Sequence, residues 1–155
     1  MKSCMYHDST PFLSSSERTC GAACLRMLGA ALGVAQDEAT IAQYCGITEL
    51  GCTVQDLVVG AHAIGLQAEI LPVFGWPMAV ETLVHQVPFI AMIALASLYG
   101  ITPMFQWHFV VPLALQDDVA MFHDPADGPD RRVPRDDFLA AWATAGYRGV
   151  RVWIP

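Results

Sequence analysis

The sequence predicts an α+β fold, on three observations. Helix-like runs with recognisable ends fill the stretch from Cys20 to Gly65. Short apolar runs bounded by Pro, Gly and Asp dominate from Pro88 to Asp124. The chain has 155 residues, of which 54% are hydrophobic, enough for one substantial core. Helices first and mostly antiparallel strands afterwards is a segregated layout rather than a βαβ alternation. No internal repeat or low-complexity linker divides the chain, so a single domain over residues 1–155 is expected.

The elements follow in order. Thr19 is placed to cap a helix from Cys20 to Leu32, with Gly33 at its end. A second helix fits Asp37 to Cys45 and stops at Gly46. Thr53-Val54-Gln55-Asp56 reads as a capping box that opens a third helix, ending near Gly65. Leu66 to Pro72 reads as a strand and Met78 to Gln86 as a short helix. Pro88–Leu95, His108–Leu115, Val119–Asp124 and Arg148–Trp153 read as strands, with a last helix over Asp136–Ala145.

Charge and composition exclude several classes. Lys plus Arg total 8 against 15 Asp plus Glu, a net charge of −7, and no basic run tracks a phosphate backbone. Nucleic acid is therefore not an expected partner, nor is an anionic membrane surface. Thr82 to Gln116 contains no Asp, Glu, Lys or Arg. A spanning helix needs about 20 uninterrupted apolar residues; Pro88, Gly100, Pro103 and Pro112 break this stretch, so membrane insertion is not expected. The start, MKSCMYHDSTPF, has no apolar segment of signal-peptide length, which points to the cytoplasm. Five cysteines, an odd number, do not form a disulfide framework.

The chemistry centres on "SERTCGAACLRML", Ser16 to Leu28. A helix N-terminus favours the thiolate form of a cysteine through unpaired N–H groups and the helix dipole. Cys20 stands at that position, and Gly21 has no side chain to block approach to the sulfur. A thiolate nucleophile needs a histidine, and the histidine needs a group that orients it. His108 and Asp124 lie on two strands joined by Gln116-Asp117-Asp118. A hairpin folded about Gln116/Asp117 sets His108 opposite Pro125, within one residue of Asp124, and cross-strand neighbours have Cβ atoms about 4.5–5.5 Å apart. Each residue also has a plainer reading. Cys20 can be core, His108 a hydrogen-bonded buried histidine and Asp124-Pro125 a turn start. Cys24, with Met27 and Ala31, lies on one helical face and reads as core. Cys4-x-x-His7 lacks a second pair at zinc spacing, so no metal is expected. His62 and His85 fall in helices, and His123 faces away from Asp124.

These residues carry a resemblance. "TCGAACLRML" (Thr19–Leu28) resembles the nucleophile segment of the papain-like cysteine peptidases that trim double-glycine leaders from bacteriocin precursors. "HFVV" (His108–Val111) resembles that family's histidine segment, and "FHDPADG" (Phe122–Gly128) its Asp-Pro segment. "GCTVQDLVVGAHAIGL" (Gly51–Leu66) is similar to its middle helix and following strand, and "RRVPRDDFLAAW" (Arg131–Trp142) to its closing helix. The resemblance implies a papain-like fold, N-terminal helices packed on a mostly antiparallel sheet. It implies Cys20 as nucleophile, His108 as base and Asp124 as orienting group, acting on a peptide or protein substrate without a cofactor.

The chain departs from that family in three ways. The family carries a glutamine about six residues before the cysteine, whose amide donates to the oxyanion. Ser14 stands there, and no glutamine precedes Gln36. Many relatives are fused to a membrane transporter; none is present in this chain, so an exporter would be a separate partner. "YGITPMFQW" (Tyr99–Trp107) is a longer approach to the histidine than the family's core needs, with the length to form a loop over the site. Two other readings use the same residues. One is a weak or inactive module that binds a leader or partner peptide; the other is a papain-like deamidase or transamidase.

Overall fold

The computed structural model describes residues 16–100 and 106–155. Its elements run α1 (Cys20–Ala31), α2 (Glu38–Cys45), α3 (Val54–Ala63), β1 (Gln67–Ile70), α4 (Trp76–His85), β2 (Ile90–Ala94), α5 (Leu95–Tyr99), β3 (Trp107–Gln116), β4 (Val119–Asp124), β5 (Gly128–Pro134), α6 (Arg135–Thr144) and β6 (Gly149–Trp153). The six strands form one antiparallel sheet in the order β1-β6-β2-β3-β4-β5.

The α+β layout is as the sequence predicts, with helices on both faces. Alternate residues of the central strands feed two cores. Met92, Phe109 and Val111 meet Leu25, Met27 and Leu57 of α1 and α3 on one face. Ala91, Ile93, Val110 and Phe122 meet Leu83 of α4 and Phe138 and Trp142 of α6 on the other. Cys24 and Met27 are fully buried, whereas Ala31, in the last turn of α1, is exposed. The Thr53–Asp56 capping box forms as expected, Asp56 N–H donating to Thr53 Oγ1 at 3.2 Å and Thr53 N–H to Asp56 Oδ2 at 2.8 Å. Among the described residues no helix is long and apolar enough to cross a membrane.

Two elements have no counterpart in the sequence reading. β5 carries Asp130, Arg131 and Arg132 and is mostly solvent-facing, so it shows no hydrophobic alternation. It is a strand because it pairs with β4 from Val119↔Pro134 to Asp124↔Gly128. Arg131–Pro134 thus belongs to this strand, and the closing helix begins only at Arg135. α5 has five residues, none fully buried, and ends on Gly100 with φ 66°. Helices that short carry no legible period.

The β3–β4 hairpin corrects the expected register. Its two-residue turn is Asp117-Asp118, with φ 51° and 62°, the left-handed geometry that tight hairpins require. Pairing runs Gln116↔Val119, Leu115↔Ala120 and Ala114↔Met121, then resumes at Pro112↔Phe122 and Val111↔His123. Leu113 is the extra residue of a bulge beside Pro112, which has no N–H for the ladder. An unbroken ladder would put Asp124 opposite Val111, on the far face from His108. The bulge advances β4 by one residue and brings Asp124 to the face that His108 occupies.

Candidate active site

A single turn of 3-10 helix, Glu17–Thr19, leads into α1. Thr19 is at the N-cap position, but its hydroxyl does not cap α1. It donates back to the Ser16 carbonyl at 3.0 Å and accepts the Ser16 N–H at 3.2 Å. Thr19 is already the last residue of the 3-10 turn, so its side chain closes that turn instead. Cys20, 4% exposed, then opens α1 at the wall of a cleft of about 730 Å³. Arg18, Gly51, Cys52, Met92, Trp107 and Phe109 also line it. Gly21 has a packing role in addition to leaving the space beside the sulfur free of a side chain. A Cβ there would lie 2.8 Å from Cys52 Sγ and 3.1 Å from side-chain carbons of Leu57 and Phe109.

His108 is the second residue of β3, opposite Ile93 of β2, and is 4% exposed. Its Nε2 lies 2.6 Å from Oδ1 of Asp124, the last residue of β4, itself 2% exposed. The same Oδ1 accepts the Ala126 N–H at 2.8 Å, a local turn bond that fixes the carboxylate against its own backbone. Oδ2 accepts the Tyr99 hydroxyl at 2.9 Å. With Nε2 engaged by Asp124, Nδ1 is the ring nitrogen left for the thiol.

Burial opposes charge on His108, but the hydrogen bond to Asp124, the neighbouring Cys20 sulfur and the Asp124 charge outweigh it and raise the imidazole to about 9. Burial also opposes charge on Asp124; the His108 hydrogen bond and charge, followed by Ala126 N–H and the Tyr99 hydroxyl, overcome it and hold the carboxyl below its ordinary range. The other described thiols are silenced by burial: Cys45 is pushed up to about 11, and Cys24 and Cys52 lie well above the ordinary thiol value. His123 is buried and accepts the Asp130 N–H at Nδ1, 3.2 Å away.

Of the three sequence-predicted residues, His108 and Asp124 are brought into direct contact, and Cys20 lies close enough to the imidazole to influence its protonation. Ser14 and the Cys4–His7 pair lie outside the described residues. Two contributors were missed. Tyr99 sits on a helix too short to leave a pattern. Cys52 directly precedes the α3 N-cap Thr53, and that position at a helix entrance is the signal that could have placed it in the cleft.

Known structures resemble this fold. The peptidase domain of Streptococcus ComA, a bifunctional ABC transporter, superposes with a TM-score of 0.74 at 17% identity, over 93% of this chain and 97% of that one. A double-glycine-motif protease from an AMS/PCAT transporter, solved with its leader peptide, gives 0.72 at 19% identity, over 92% and 89%. The N-terminal peptidase C39-like domain of a toxin-secretion ATP-binding protein from Vibrio parahaemolyticus gives 0.65 at 15%, over 92% and 100%. No curated relative matches the chain in sequence. At these identities the superpositions speak for the papain-like fold alone. The peptidase C39 family model matches residues 9–147, nearly the whole length, and the chain belongs to the peptidase C39 family.

Proposed function

We propose that this protein is a cysteine peptidase that cleaves a peptide after a leader segment, with Cys20 as nucleophile, His108 as proton carrier and Asp124 as its orienting group. The observation that carries the reading is the 2.6 Å contact between His108 Nε2 and Asp124 Oδ1, on a ring whose protonation Cys20 also influences. A histidine near 9 is protonated at neutral pH. It is therefore an acid held ready, and a cation beside a thiol favours the thiolate. Cys20 attacks the scissile carbonyl, and His108 gives its proton to the leaving amine. The neutral imidazole then takes a proton from the water that releases the acyl group. Asp124 holds the ring in one tautomer and steadies its charge throughout. The site of action is the cytoplasm.

Ser14 favours a second reading, a module that binds such a peptide and cuts it slowly. Loss of one oxyanion donor costs about 10²–10³ in rate. Mixing the protein with synthetic double-glycine leader peptides separates the two. The peptidase reading expects cleavage, abolished by Cys20→Ala with binding retained, and accelerated by Ser14→Gln by at most about 10²–10³. Binding without cleavage in both the natural chain and Ser14→Gln supports the binding module.

A further inference from the structure

The chain between β2 and β3 makes an excursion that returns to where it left. Ala94 pairs with Trp107, and the Leu95 N–H donates to the Gln106 carbonyl at 3.2 Å. α5 opens this excursion and packs on α6, with Leu98 against the core on that side of the sheet. That is the face to which the β3 bulge brings Asp124. Tyr99, the last residue of α5, reaches across β3 to the Asp124 carboxylate. The two oxygens of that carboxylate are then divided. Oδ1 takes His108 and the Ala126 N–H, and Oδ2 takes the Tyr99 hydroxyl.

We infer that Tyr99 is a positioning residue: its hydroxyl holds Oδ2 so that the carboxylate cannot turn away from the imidazole. Asp124 is 2% exposed, so Oδ2 has little water to replace a lost donor. Without the hydroxyl, the carboxylate gains hydration or a new partner only by rotating about its Cβ–Cγ bond, which loosens the Oδ1 contact to Nε2. Burial and the Asp124 charge raise the Tyr99 hydroxyl well above its ordinary value, so it keeps its proton and remains a donor. The inference rests on the proposed roles of Cys20, His108 and Asp124 for its effect on turnover, but the geometry can be tested without turnover.

The test is Tyr99→Phe in the full chain, read in two ways. Hydrogen bonds to charged groups carry the larger share of net stabilisation, but the Ala126 N–H still restrains Oδ1 in the variant. The kcat on a leader peptide should fall about tenfold, with KM held within about twofold. The His108 Nε2–H proton, at low field because of its short bond to a carboxylate, should move upfield or broaden in the proton NMR spectrum. Replacing Tyr99 by 4-aminophenylalanine, which keeps a donor on the ring, should restore both. A purely structural tyrosine would lower the melting temperature and leave the Nε2–H resonance of the folded protein in place. An unmoved resonance in Tyr99→Phe overturns the inference, as does an unmoved kcat in a protein that turns over. If no peptide is cut by the natural chain but the resonance shifts, the peptidase reading fails and Tyr99 retains its positioning role.

Discussion

Asp124→Asn removes the negative charge from the buried pair and keeps its shape. The carbamoyl oxygen can still accept from His108 and from the Ala126 N–H, and the Tyr99 hydroxyl can turn to accept from the amide nitrogen. The variant therefore isolates charge from hydrogen bonding. In the native protein His108 is raised from 6.5 to about 9. Burial lowers it and Cys20 supplies part of the opposing rise, so without the carboxylate it should fall back toward its ordinary value. The full rise corresponds to at most about 3 kcal/mol of stabilisation of the charged imidazole, of which Cys20 carries a part. This energy is shared with Asp124 and is counted once. Because the folded value is raised, the contribution is fully present below about pH 6.5 and disappears as the pH rises through about 9. Urea unfolding at pH 6 and pH 10 reads it directly. At pH 6 Asp124→Asn should be less stable, by up to about 3 kcal/mol. At pH 10, where the native imidazole is neutral, the difference should vanish or invert, since the native protein then buries a carboxylate with hydrogen-bond donors but no cationic partner. Equal destabilisation at both pH values would refute the charge-pair reasoning.

Three further outcomes follow from the same geometry. Iodoacetamide at pH 6 should label Cys20 ahead of Cys24, Cys45 and Cys52, whose thiols are all raised; His108→Ala should slow the Cys20 reaction, and peptide mapping reads both. The pH profile of kcat/KM should fall on the alkaline side near pH 9, where His108 loses its proton, and in Asp124→Asn that limb should move to lower pH. Gly21→Ala sets a methyl group 2.8 Å from Cys52 Sγ and should cost about 1–3 kcal/mol by calorimetry.

Much of the fold was legible because it rests on local chemistry. The Thr53–Asp56 box and Gly46, with φ 66° at the end of α2, each announce a helix boundary within a few residues. The central strands were legible because both faces are buried: Ile90–Ala94 is buried throughout and reads as a continuous apolar run. β5 was not, since its existence depends on the partner strand. The site was legible where it rests on residue types. Cys20 opens a helix, and His108 and Asp124 fall on adjacent strands. The register between them was not, because the Leu113 bulge shifts the ladder by one residue, and side chains change face with each such step. Tyr99 was out of reach for a similar reason. Its contact with Asp124 spans 25 residues and depends on where a five-residue helix lands.

The most direct test of the account is the fate of Cys20 during turnover. The protein is mixed with a double-glycine leader peptide, quenched in acid within the first turnover and examined by intact-mass and peptide-mapping mass spectrometry. The account predicts a thioester between Cys20 and the leader fragment, absent in Cys20→Ala and strongly reduced in His108→Ala. Cleavage of the peptide by Cys20→Ala at the rate of the natural chain, or an acyl group found on Cys52 instead, would contradict it.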